Sequence, residues 1–260
     1  MGNGDHSTTS QTKDRTHSDR QPGRLATVAF IWLLVTVLAE ITVAAIEWQP
    51  FAASREATIS DDAFNLLMVL ATPVFTFVIV VGGYALLRDR HRGDDADGPP
   101  IRTSRAFIAT WLVVTTVLSV VVIITPGFTG LDELRAEPEA DLVIDVRAER
   151  WSWAYRYADS GVETQGNLML PINRRVLFRI SSTDVIHSFW IPAFRIKKDA
   201  VPGQITTTMV TPRKLGSFDN QEEMRVQCAE LCGVGHARMF TGVTVVEQDE
   251  FDAWLAAAGG

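Results

Sequence analysis

Apolar residues gather into three long runs in the first half of this chain and into short alternating stretches in the second. Leu25 to Ile46 is the first run, broken only by Glu40; Phe64 to Leu87 is the second; Ala106 to Thr125 is the third, stopped by Pro126-Gly127. Each is long enough to cross a bilayer as a helix. As buried core helices, three such runs would leave no polar face to meet water. Residues 1–24 are polar throughout and cannot bury enough surface to offset their ordering entropy, which predicts a disordered tail. Residues 126–141 read as an acidic, turn-rich linker. From residue 142 the pattern becomes β-like, at Leu142–Val146, Arg175–Ile180, Ile205–Val210, Met224–Gln227 and Thr241–Val246, with Pro, Gly, Asn and Asp clusters between. Short strands at such spacing predict an all-β sandwich or barrel over 142–260, closed by a short helix at Glu247–Ala258. The expected architecture is a membrane α-helical anchor followed by an all-β domain.

Charge adds an orientation. Arg88, Arg90, Arg92, Arg102 and Arg105 place the loop between the second and third runs in the cytoplasm. The basic flank before Leu25 agrees. The 47–63 loop carries Arg55 against Glu47, Glu56, Asp61 and Asp62, which suits the outside. The β region then lies outside too. The first run has two readings. It is a retained span, or it is a secretory signal, since a basic flank, an apolar stretch and small residues such as Ala44-Ala45 or Ala52-Ala53 describe both. The orientation of the rest is the same either way. A net charge of −7, without a basic stripe, argues against nucleic acid as a partner and permits a basic protein.

Candidate chemistry concentrates in Cys228-Ala-Glu230-Leu-Cys232-Gly-Val-Gly-His236-Ala-Arg-Met239. Two thiols, an imidazole and a thioether fall in one short loop. Gly233 and Gly235 let it fold tightly. The remaining histidine of the β region is His187, in Asp184-Val-Ile-His187-Ser-Phe-Trp190-Ile-Pro192. A disulfide explains the cysteines but neither the histidines nor Met239. Zinc does not ordinarily take methionine. A mononuclear blue-copper centre uses one cysteine, so the second is surplus to it. Soft sulfur with imidazole favours copper, and two cysteines suit a pair of ions.

These residues resemble the dinuclear copper motif of cytochrome c oxidase subunit II. Asp184–Pro192 resembles the upstream histidine segment of that family. Lys198-Asp199-Ala-Val-Pro202-Gly203 resembles its intervening turn, and Trp151-Ser-Trp153-Ala-Tyr155-Arg-Tyr157 its aromatic cluster. The resemblance covers roughly residues 60–258. It implies two or three transmembrane helices followed by a cupredoxin-like β-sandwich, in a proton-translocating terminal oxidase that reduces oxygen to water. It implies a CuA centre of two coppers per chain. Cys228 and Cys232 would bridge the ions, and His187 and His236 would bind one each. Met239 and the Glu230 carbonyl would be the weaker ligands. The Glu230 side chain would reach a magnesium ion at the boundary with subunit I. Trp151 would take the electron from cytochrome c, and Asp184 would lie on the docking face. Electrons would pass on to the haem of subunit I.

Tyr155 and Tyr157 read more simply as core residues on one face of a strand. The chain departs from the family in three places. Ser152 stands where an aromatic is common. Ile108-Ala-Thr-Trp111 offers no carboxylate for a proton path in subunit I. No C-x-x-C-H follows Met239, so no covalent haem is expected there. A quinol oxidase subunit would lack the copper ligands. A membrane-anchored copper carrier or sensor is the alternative from another class.

Overall fold

The computed structural model describes residues 21–88, 104–135 and 139–259. The polar tail up to residue 20 and the arginine-bearing stretch 89–103 lie outside the described residues. Among those described, three helices are long and apolar enough to span a membrane: α1 (Gln21–Ala45), α2 (Arg55–Arg88) and α3 (Arg105–Val122). Their leucines, valines and phenylalanines point outward, as a lipid solvent requires and water would not permit.

The chain divides into two compact units. Residues 1–46 with 68–101 form one, and residues 47–67 with 102–260 the other. In the first unit α1 is seated on α2 by specific bonds. The Trp32 indole N–H donates to the Pro73 carbonyl (2.9 Å), the hydroxyls of Thr36 and Thr76 pair at 2.7 Å, and Trp32 meets Phe77 edge-on.

In the second unit, Ser104 caps α3 by accepting the Phe107 N–H. The helix runs on through a π turn at Ile123–Phe128, across a cis Thr125–Pro126 bond, into the short α4 (Thr129–Arg135). Part of the expected linker is therefore helical. Pro126 breaks the ladder without ending the helix, because the next residues re-enter helical geometry at Thr129.

The β domain uses eleven strands, β1 (Leu142–Glu149), β2 (Ser152–Tyr157), β3 (Glu163–Gln165), β4 (Leu168–Pro171), β5 (Val176–Ser182), β6 (His187–Ile191), β7 (Ile196–Ala200), β8 (Thr206–Val210), β9 (Gly216–Ser217), β10 (Arg225–Cys228) and β11 (Phe240–Val246), and closes on α5 (Gln248–Ala258). One sheet has the order β3-β2-β1-β5-β8. The other runs β4-β11-β10-β6-β7, with β9 beside β11. Period-two alternation buries Leu142, Ile144, Val146 and Ala148 from β1, Trp153, Tyr155 and Tyr157 from β2, and Val176, Phe178 and Ile180 from β5. With Phe189, Leu168, Val243 and Val245 from the facing sheet they make a sandwich core. Tyr155 bonds Thr241 and Tyr157 bonds the Met169 carbonyl through their hydroxyls, so both polar tips are satisfied inside.

Residues 50–61 belong to this domain although the hydropathy pattern reads them as a loop before the second span. Ala53 is in the core, and its N–H and C=O bond Ala193 and Arg213. Ser54 caps α2 by accepting the Ala57 N–H while donating to the Phe194 carbonyl. Glu56 accepts the Thr211 N–H. The Arg195 guanidinium grips the Asp61 carboxylate with two bonds of 2.9 Å and reaches the carbonyls of Pro50 and Pro192. These bonds start α2 nine residues ahead of its apolar run. A planar guanidinium matches a carboxylate in just this paired way.

Candidate metal centre

Strand pairing brings the two ligand-bearing segments together. β10 runs antiparallel to β6 with Cys228 opposite Phe189, so the end of β10 falls next to His187 at the start of β6. The chain then leaves the sheet. The Ala229 N–H bonds the Ser188 carbonyl, and the Cys228 N–H bonds the Met239 carbonyl, closing the loop at its base. Inside it, Gly233 has φ of +122°, a conformation that side chains rarely adopt. A short 3-10 turn over His236–Arg238 follows.

The donors converge. Cys228 Sγ lies 3.8 Å from Cys232 Sγ, 3.8 Å from His187 Nδ1 and 3.1 Å from the Glu230 carbonyl oxygen. Cys232 Sγ lies 3.7 Å from His236 Nδ1 and 3.7 Å from Met239 Sδ. His187, Cys228, Cys232 and Met239 are buried; His236 is partly exposed. The sulfurs are nearly twice a disulfide's length apart, and both cysteines are free. That spacing lets both sulfurs touch a common ion at about 2.3 Å, an ordinary metal–thiolate distance. His187, Cys228 and Cys232 stand out as a grouping able to hold a metal. Burial, and next the Cys228 thiol beside it, push the Cys232 thiol up to about 11. A bound cation displaces such a proton.

Behind the donors stands Asp184. One carboxylate oxygen lies 2.9 Å from His187 Nε2 and 2.7 Å from the Val185 N–H, and the other takes the N–H and Nε of Arg150, each at 2.9 Å. Burial alone would raise this carboxyl. Hydrogen bonds from His187, Arg150 and Val185 overcome that and hold it well below the usual carboxylate range. Accepting from Nε2–H fixes the tautomer that leaves His187 Nδ1 free to bind a metal. Asp184 was singled out in the sequence for docking; its carboxylate is largely engaged inward.

Trp153, which the sequence offers as part of an aromatic face, packs edge-on against His187 and Phe189 and points its N–H at the Met239 carbonyl. It walls the centre from the core side. Trp151, two residues earlier and 39% exposed, lies on the outer side against the loop at Gly233 and Gly235. Glu230 presents an exposed side chain beside its inward carbonyl. Arg150 and the seat of Trp151 escape sequence reasoning, because nothing in residue type marks them.

A β-sandwich that gathers two thiols, two imidazoles and a thioether at one end, and that follows a membrane anchor in the chain, defines a membrane-bound cupredoxin-like copper protein. Residues 160–246 match the family model described as cytochrome c oxidase subunit II, periplasmic domain. Cytochrome c oxidase subunit 2 of Thermostichus vulcanus is 28% identical over 79% of this chain and 76% of its own length. That of Synechocystis is 29% identical over 80% and 75%. The solved periplasmic domain of subunit II of the cytochrome oxidase of Bradyrhizobium japonicum is 33% identical over 46% of this chain and 95% of that one, with a TM-score of 0.43. The chain belongs to the cytochrome c oxidase subunit II family. It is an electron-transferring subunit of a haem–copper terminal oxidase, anchored in the membrane with its copper-site domain on the extracytoplasmic side, and it associates with other oxidase subunits.

Proposed function

We propose that the centre holds two copper ions as a CuA pair bridged by the sulfurs of Cys228 and Cys232. His187 and His236 each bind one ion through Nδ1, with Met239 Sδ and the Glu230 carbonyl as weaker donors. The observation that carries this is the convergence of that donor set around two sulfurs 3.8 Å apart. The pair shares one electron, and a rigid sandwich holds its ligands with little rearrangement on redox change. The protein's task is to position, bury and tune. The test is metal analysis with electron paramagnetic resonance on the purified oxidase. Two coppers in this subunit and a seven-line hyperfine pattern are expected. One copper, zinc, or a silent Cu(I) site would support a carrier or sensor and overturn the assignment.

Electrons enter from cytochrome c at Trp151 and leave to the haem of subunit I. The exposed indole against the ligand loop supports this entry point. Asp184 borders the same face, paired with Arg150. The exposed Glu230 carboxylate suits a magnesium ion at the boundary with subunit I. In the copper-loaded oxidase, Trp151→Phe should leave the copper spectrum and cytochrome c affinity intact and slow the transfer step by roughly 10-fold or more, within the range that small misplacements of a reacting group produce. Stopped-flow oxidation of reduced cytochrome c reads this. A normal rate would remove Trp151 from the path.

A further inference from the structure

We propose that Gly235 is a positioning residue for electron entry, its bare backbone being the seat on which the Trp151 indole lies. This deepens the reading of Trp151 as the entry point and rests on it. A Cβ built at Gly235 would fall 2.3 Å from Trp151 Cδ2, 2.6 Å from Cγ and 2.7 Å from Cε3, inside the ring's own van der Waals envelope. At Gly233 the corresponding Cβ would stand 3.4 Å from Cζ2 and 3.5 Å from Nε1, ordinary or slightly tight contact. The indole therefore lies across both glycines, with its ring fusion pressed on Gly235.

The two glycines serve different needs. Gly233, with φ of +122°, satisfies the backbone. Gly235 has φ of −94° and ψ of 2°, which any L-residue adopts. Its carbonyl bonds the Arg238 N–H in the ordinary way, and no part of the loop's path asks for glycine there. What asks for glycine is the ring. Gly235 sits between Cys232 and His236 and is bonded directly to the second. A ring lying on that backbone is therefore in contact with the ligand loop itself. A methyl group at 235 lifts the indole by about 1 Å or more, and misplacing a reacting group by about 1 Å costs up to about 100-fold in rate.

The experiment uses the intact oxidase. Gly235→Ala should retain two coppers and the seven-line spectrum, keep internal transfer from copper to haem, and lose roughly 10- to 100-fold in the rate of electron entry. In a Trp151→Leu background the same substitution should cost nothing further, because the ring that it displaces is gone. An unchanged entry rate with the ring displaced in a structure of Gly235→Ala overturns the entry role of Trp151. A ring found in its original place overturns the seat. An equal loss in the Trp151→Leu background also overturns the seat, since Gly235 would then act on the copper pair directly. Should Gly235→Ala lose copper, the seat predicts that Trp151→Leu restores it by making room; copper still absent in the double variant would show that the loop needs this glycine for itself and end the proposal.

Discussion

Cys228→Ser and Cys232→Ser are each expected to abolish the paired-copper signal and, with it, oxidation of cytochrome c, while leaving the subunit folded in the oxidase. The two sulfurs, 3.8 Å apart, join the two imidazole sides of the site: Cys228 lies beside His187 and Glu230, Cys232 beside His236 and Met239. Losing either leaves donors for at most one ion. Serine is close to cysteine in volume and both side chains are buried, so packing changes little. The loop is held at its base by backbone bonds at Cys228 and Ala229, which a side-chain change does not touch. Removing an outer partner of a metal ligand costs about 10–100-fold in affinity, so removing a bridging ligand should cost more than that. Met239→Leu is the contrast within the same site. A weak thioether donor is lost, two coppers stay, and the potential moves. A seven-line spectrum surviving in either serine variant would end the bridged-pair reading.

How much of this was legible in the sequence follows from where the signals lie. The spans were legible because a bilayer demands contiguous apolar length, which composition shows directly. The loop donors were legible because all of them fall between Cys228 and Met239. His187 could be joined to them only by elimination and family order, since its approach depends on β6 pairing with β10 across 41 residues. β6 itself was hidden. His187, Ser188, Phe189 and Ile191 are all buried, so the strand lacks the alternation that marks a half-buried one. The strap before α2 was hidden for the opposite reason. Residues 47–63 look like a charged surface loop, and the Arg195–Asp61 pairing spans 134 positions with no local mark. Tyr155 and Tyr157 read correctly as core from period two alone. Trp151 shares that period, and only its place at the exposed strand entrance separates it from them.

Asp184→Asn is expected to weaken copper binding by about 10–100-fold and to shift the centre's potential, with both effects persisting at high salt. The reason is the way the carboxylate is used. Its side chain is 18% exposed and faces inward on one oxygen, to His187 Nε2, and toward Arg150 on the other. Asparagine keeps the shape but replaces one acceptor with an N–H₂ donor. If the amide oxygen keeps His187, the amino group confronts Arg150, donor against donor; if it keeps Arg150, it confronts the His187 N–H. Either way one bond that fixes the ligand's tautomer or the strand end is lost, and losses of this kind give the stated range of metal affinity. A purely docking role predicts something different. Rim charges act mainly on association rate, and their effect fades as salt shortens the Debye length to a few ångströms. Arg150 already neutralises much of the field that Asp184 could project. Copper titration of the variant and cytochrome c association at low and high ionic strength separate the two roles. Intact copper affinity with slower association at low salt alone would return Asp184 to the docking face and leave His187 to be oriented by its packing against Trp153.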